Sequence, residues 1–150
     1  MQIPGAEELT VYLEKENKTL GEYALEREEE TAKRSREEIR QQMDQALAVM
    51  ERSSQAARKE PVRSVSGLTG GNAWKYESYL AAGKSILGRI PSLAAAMALS
   101  CSEINASMQC IVACPTAGSC GIVPASILSC AQERGLSREQ VIDGLFAASA

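Results

Sequence analysis

The sequence predicts an all-α fold, and three features of the 150-residue chain support this prediction. Three segments match the capping box, in which a hydroxyl at a helix start and a Glu or Gln three residues later satisfy free backbone amides. They begin at Thr19, Ser35 and Ser137. Apolar residues recur at helical spacing after Ser35, and an alanine-rich apolar run follows Ser92. We expect a helical domain with two glycine-rich loops that forms an incomplete part of a larger helical domain.

Residues 1–60 form the first of two predicted regions, a charged amphipathic helical segment. They contain 10 Lys and Arg and 14 Asp and Glu, whereas the rest of the chain contains 6 and 5. Four apolar residues recur at spacings of four, three and four and form one stripe on a charged helix. They are Ile39, Met43, Ala46 and Met50. We interpret the stripe as packing against the rest of the domain, with binding to a partner as the alternative.

The second region, residues 61–150, begins with a small, polar loop at residues 66–72 (SGLTGGN). Asn72 is predicted to cap a helix over residues 73–82, and Gly83 is its C-terminal stop. The free backbone amides at such a helix start suit a carboxylate or a phosphate. The loop is therefore either an anion site or a plain turn.

A long apolar helix is predicted from residue 93 to residue 114, opened by Ser92 and closed by Pro115. Its length raises the question of a membrane span, but polar residues along it argue against one. They are Ser100, Ser102, Glu103, Asn105, Ser107 and Gln109. In a soluble bundle Glu103 and Asn105 must either have structural partners or face a polar site, because burying an unpaired polar group is costly.

A second loop of small residues, 116–121 (TAGSCG), precedes a helix predicted over residues 122–134. Pro124 is tolerated in the first turn of this helix, and Gly135 stops it. The last helix begins at the Ser137 capping box. We expect it to be still running at Ala150, without its packing partner.

Five cysteines in a chain without histidine raise the question of whether the run CIVACPTAGSC, residues 110–120, binds a metal or packs. Cys110 and Cys114 are predicted to share one face of a helix, and Cys120 to approach a helix N-terminus that lowers its pKa. The spacing matches neither ferredoxin nor zinc patterns. Packing is favoured for these thiols, as for Cys101 and Cys130, with a metal or redox site as the alternative.

Composition argues against several other classes of protein. The net charge of -3 gives no basic surface for nucleic acid. The first ten residues, MQIPGAEELT, lack the basic start and apolar stretch of a targeting segment. We therefore expect a cytoplasmic protein that binds neither nucleic acid nor membrane.

Three motifs follow one another in a specific order: SGLTGGNA at residues 66–73, SEINASM at residues 102–108 and PTAGSCGIVP at residues 115–124. With these motifs the chain resembles the alpha chain of iron–sulfur-dependent L-serine dehydratase. The N-terminal region is similar as well, including RSREE at residues 34–38. The resemblance therefore covers nearly the whole chain.

The resemblance implies an all-helical lyase that converts L-serine to pyruvate and ammonia with a four-iron four-sulfur cluster and without pyridoxal phosphate. One iron of the cluster acts as a Lewis acid on the serine, while a base removes the alpha proton. The family's ligand motifs imply cluster ligands beyond Ala150, so none of the chain's cysteines is expected to bind the cluster. A separate beta chain and an oligomeric enzyme are also implied, and the chain alone is expected to be inactive.

The resemblance also implies seven active-site or substrate-side positions, without individual catalytic roles and without identifying the base. They are Thr69, Gly70, Gly71, Asn105, Thr116, Gly118 and Ser119. The backbone amides of the two loops are expected to face the substrate carboxylate. On this interpretation, residues 61–150 are the N-terminal part of the catalytic domain.

Two other functions stay open at this point. One is a relative in the same superfamily that eliminates sulfide from cysteine. The other, from a different class, is a non-catalytic helical interaction module, which the stripe at Ile39, Met43 and Met50 and the lack of histidine would suit.

Overall fold

The computed structural model describes residues 5–150, which form seven α-helices and one 3₁₀ turn, with no strand among them. The helices are α1 (Ala6–Glu16), α2 (Leu20–Ala32), α3 (Arg36–Lys59), α4 (Asn72–Ala81), α5 (Arg89–Ala106), α6 (Ile122–Arg134) and α7 (Arg138–Ala148). The 3₁₀ turn spans Ala117–Ser119, between α5 and α6. The prediction of an all-α fold is confirmed.

The three predicted capping boxes are all formed. At Thr19, Ser35 and Ser137 the side-chain oxygen accepts a hydrogen bond from the backbone amide of the residue three positions later. The side chain of that later residue accepts a hydrogen bond from the backbone amide of the Thr or Ser in return. These local interactions fix the starts of α2, α3 and α7. The end of α6 is also as predicted, with Gly135 at a φ of 63° directly after the last turn.

The apolar stripe of α3 faces the larger of two hydrophobic clusters, which lies between α2, α3, α6 and α7. Ile39 is 4% exposed and Met50 is 3% exposed, and Met43 packs against the same cluster. Packing of the stripe within the chain is confirmed. The interaction-module hypothesis therefore loses the exposed stripe on which it depended.

Helix α7 is packed inside the bundle, so the prediction that it lacks a packing partner is wrong. It ends at Ala148 and contacts α2, α3 and α6. The approach of α2 is close because Gly21 has no side chain, and a Cβ there would lie 2.7 Å from the carbonyl oxygen of Asp143. The buried side chains of α7 are Val141, Ile142, Leu145 and Phe146. The core therefore draws on both predicted regions, and the boundary near residue 60 stays a prediction.

Helix α5 contacts α3, α4 and α6 and ends eight residues before the predicted position, at Ala106. Met108 adopts a φ of 60°. The amides of Met108 and Gln109 donate to the carbonyls of Asn105 and Ile104, which closes the helix in a Schellman motif. The prediction of a helix to residue 114 is wrong because a methionine fills the left-handed position that glycine usually marks.

The N-terminal end of α5 also differs from the prediction, because the helix begins at Arg89 with Gly88 as its N-cap. Ser92 is buried in the first turn, and its hydroxyl lies 2.7 Å from that of Ser85. The predicted opening at Ser92 is therefore wrong by one turn. Here the cap is a glycine without a side chain, which carries no polar start signal.

Ser100 of α5 links this helix to α3 inside the core. Its hydroxyl accepts from the Ala57 amide at 3.0 Å and donates to the Ser53 carbonyl at 2.7 Å.

Within residues 5–150, none of the helices combines the length and the apolar character that crossing a membrane would require.

Candidate functional site

The first glycine-rich loop folds back on itself before α4. The Gly71 amide donates to the Val62 carbonyl at 3.0 Å, and the Ser64 amide donates to the Thr69 carbonyl at 2.9 Å. Gly70 lies between these two bonds with a φ of 142°, and Gly71 follows with a φ of 75°. Glycine adopts such angles most easily, so the pair turns the chain sharply into α4.

The second loop is organised by two of its predicted site residues. The Ser119 amide donates to Thr116 Oγ1 at 3.3 Å, and the Thr116 amide donates to Ser119 Oγ at 3.3 Å. The two hydroxyl oxygens lie 2.9 Å apart. Gly118 is exposed within the 3₁₀ turn that this reciprocal pair caps.

The last turn of α5 holds both loops. Asn105 Nδ2 donates to the Ala117 carbonyl of the second loop at 3.0 Å. The Val65 amide of the first loop donates to the Ala106 carbonyl at 3.0 Å. The seven predicted site positions therefore lie on two loops attached to one helical turn, or on that turn itself.

Glu103, in the same turn of α5, caps the N-terminus of α4. Its Oε1 accepts from the Asn72 amide at 2.5 Å, and its Oε2 accepts from the Ala73 amide at 3.4 Å. Gly71 occupies the N-cap position, so the prediction that Asn72 caps this helix is wrong. The Asn72 and Ala73 amides already bind a carboxylate of the chain itself and are not open to a separate anion.

The sequence marked Glu103 as a buried carboxylate but did not reveal this contact. A local signal does exist. Gly71 precedes α4 and has no side chain to satisfy the free amides of the helix start. A helix start of this kind, together with a lone acidic residue in an apolar helix, indicates a cap supplied from elsewhere in the chain.

The cysteines of the run at residues 110–120 are placed differently from one another. Cys110 is exposed, Cys114 is half-buried and Cys120 is buried. Because α5 ends at Ala106, the prediction that Cys110 and Cys114 share a helix face is wrong. Within residues 5–150, no three side chains of His, Cys, Asp or Glu are grouped so that they could hold a metal ion.

Cys120 packs against α5, with its thiol sulfur 3.9 Å from the carbonyl oxygen of Cys101. Burial raises the pKa of the Cys120 thiol, and it also raises the pKa of the Cys101 thiol. The expectation of a lowered pKa at Cys120 is therefore wrong, because desolvation outweighs any effect of a nearby helix start. Both residues behave as packing groups in the folded chain.

We expect a thiol-specific reagent at pH 8 to label Cys110 at least about 10-fold faster than Cys101 or Cys120, because buried thiols react only through local opening. Peptide mass spectrometry over a time course measures the rates. The variant Cys110→Ser should lose the fast phase, whereas Cys101→Ser should keep it. Equal rates at Cys110 and Cys120 would contradict the packing described above.

The raised thiol pKa values also affect stability. Ionisation is easier in the unfolded chain, where a thiol titrates near pH 8.5, than in the folded chain. The contribution of the buried thiols to stability is therefore complete below about pH 8.5 and declines as the pH rises further.

Comparison with known proteins gives a family context for these loops. A family model described as "Serine dehydratase alpha chain" matches residues 15–150. The chain is 40% identical over 131 residues to "Probable L-serine dehydratase, alpha chain" of Bacillus subtilis (strain 168), across 87% of this chain and 43% of the relative. It is 36% identical over 122 residues to "L-serine dehydratase, alpha chain" of Peptoniphilus asaccharolyticus, across 81% of this chain and 42% of the relative.

No solved structure gives a significant match to the chain. The matched segment spans less than half the length of each of these two relatives.

Proposed function

The chain belongs to the serine dehydratase alpha-chain family, and on this basis we propose that it forms part of an L-serine dehydratase that produces pyruvate and ammonia. The observation that carries the proposal is the family match over residues 15–150, which includes both glycine-rich loops. Their common attachment to the last turn of α5 supports a single site.

In this proposal the loops bind and orient the substrate. The amides of Gly70, Ala117 and Gly118 have no acceptor within the described part of the chain, so they are donors available to the serine carboxylate. Thr69, Gly71, Thr116 and Ser119 remain substrate-side positions. The amide nitrogen of Asn105 is used by the Ala117 carbonyl, which leaves Asn105 Oδ1 for the substrate.

The reaction proposed is elimination followed by hydrolysis. Serine loses its alpha proton to a base, and its hydroxyl group takes up a proton and leaves as water, which gives aminoacrylate. Aminoacrylate tautomerises to the imine, and water converts the imine to pyruvate and ammonia. The base is not assigned to a residue of this chain.

The cysteines of this chain do not fit the iron–sulfur cluster that the family resemblance implies. A cluster site needs thiolates that converge. Cys110 is exposed, whereas Cys101 and Cys120 are buried with raised pKa values. We therefore propose that the cluster ligands lie outside these 150 residues, and we assign no step of cluster chemistry to the chain. A beta chain is the proposed partner, and L-serine the substrate.

A chimeric alpha chain tests this function. The chain replaces the matched segment of the Peptoniphilus asaccharolyticus relative, and the product is prepared anaerobically with the beta chain that the relative's name implies; we call it the assembled enzyme. We expect it to bind iron and to form pyruvate from L-serine at a steady rate. The 150-residue chain alone should retain almost no iron after attempted cluster reconstitution and should form no pyruvate.

The same preparation separates the alternatives. Release of sulfide from L-cysteine in preference to pyruvate from L-serine would favour the cysteine-eliminating relative and overturn the proposal. Stoichiometric iron in the chain alone, lost on substitution of Cys110, Cys114 or Cys120, would show that the run of cysteines is itself a metal site.

A further inference from the structure

Glu103, which is 7% exposed, is the one buried charged residue among residues 5–150. Its hydrogen-bond partners are two backbone amides and not a cation. A buried carboxylate without a cation is costly unless hydrogen bonds satisfy it, so this arrangement needs a compensating interaction. The first amides of α4, with the partial positive charge of a helix N-terminus, supply it.

The helix has no alternative cap of its own. A Ser, Thr, Asp or Asn at the N-cap would normally satisfy these amides. At this position stands Gly71, whose φ of 75° disfavours any residue with a side chain. A side-chain cap normally needs an extended N-cap residue, whereas Gly71 is left-handed and has no side chain, so the loop supplies no local cap. Glu103 provides one from 31 residues away.

This cap connects the two candidate loops. The amides that Glu103 holds follow directly after Thr69, Gly70 and Gly71. Two residues further along α5, Asn105 holds the Ala117 carbonyl of the second loop. One turn of α5 therefore fixes both loops, through a carboxylate on one side and an amide on the other.

We propose that Glu103 is a positioning residue for the substrate site. It fixes the backbone of the first loop against α5 and thereby sets where the loop amides lie relative to the second loop. It does not touch the substrate in this role. The proposal rests on the proposed dehydratase function for its kinetic consequence, but its structural consequence is independent of that function.

The first test uses Glu103→Gln in the assembled enzyme. Glutamine keeps the size of the side chain, but its NH2 group cannot accept a hydrogen bond from an amide. We expect the KM for L-serine to rise about 10-fold with little change in helix content, since misplaced loop amides weaken substrate binding. A merely less stable enzyme would lose active fraction and keep its KM.

The matched control is Val141→Ala, a cavity-forming change in the hydrophobic cluster between α2, α3, α6 and α7. It should lower stability without changing KM. If Glu103→Gln does not fold, Glu103→Asp is used instead, because it keeps the charge and withdraws it by one methylene. An unchanged KM for L-serine in whichever of these two Glu103 variants is used would overturn the proposal.

The second test reads the loop directly in the 150-residue chain. We expect Glu103→Gln to speed hydrogen–deuterium exchange at the Gly71, Asn72 and Ala73 amides by at least 10-fold, with α3 unchanged. If the wild-type assembled enzyme forms no pyruvate, the proposed function fails while this measurement still decides the positioning role. Unchanged exchange at all three amides would overturn that role.

Discussion

Replacing Gly70 with alanine is expected to open the first loop. A Cβ at this position would lie 2.2 Å from the Val62 carbonyl oxygen and 2.8 Å from the Arg63 Cα, and both are backbone atoms that no side-chain rotation can move away. The φ of 142° adds a backbone cost of about 1–3 kcal/mol. We expect the bridge between Arg63 and Gly70 to be lost and the kcat/KM of the assembled enzyme to fall on the order of 100-fold.

Hydrogen–deuterium exchange of the Ser64 and Gly71 amides measures the opening, since both donate across the loop. Gly67→Ala is the matched control. Gly67 also has a positive φ, of 73°, but nothing lies within 4 Å of a Cβ built there. It should cost about 1–2 kcal/mol and leave both amides protected. If the Ser64 and Gly71 amides of Gly70→Ala were as protected as those of the wild-type chain, the loop would have room for a side chain and the prediction would be wrong.

The helix starts with side-chain caps were predictable because their signals are local. Thr19, Ser35 and Ser137 each interact with a residue three positions later, so the sequence alone contains both partners. The end of α5 was not predictable in this way. Met108 takes a left-handed conformation without the glycine or asparagine that usually signals it.

The candidate site likewise has some features that the sequence signals and others that it does not. The composition of the two loops marks them as turns, and the family resemblance singles out their residues. The sequence signals that α4 needs a cap from elsewhere in the chain, but not which residues attach the two loops to one turn of α5, because those contacts join residues far apart in sequence. Glu103 reaches Asn72 across 31 positions, and Asn105 reaches Ala117 across 12.

Replacing Phe146 with alanine is expected to lower the free energy of unfolding by about 3–5 kcal/mol, because removal of a buried ring leaves a cavity. Phe146 is 3% exposed and belongs to the cluster shared by α2, α3, α6 and α7. Urea denaturation followed by circular dichroism measures the loss. Ile122→Ala, at a side chain that is 62% exposed, should change stability by no more than about 0.5 kcal/mol.

The shape of the Phe146→Ala transition also decides how the two regions are coupled. Because α7 packs on α2 as well as on α3 and α6, loss of the ring weakens the contact between residues 1–60 and the rest of the chain. One cooperative transition with an unchanged slope means that the regions still unfold together. A second transition confined to this variant would identify α2 and α7 as a separable layer, and a loss below about 1 kcal/mol would contradict the packing of α7.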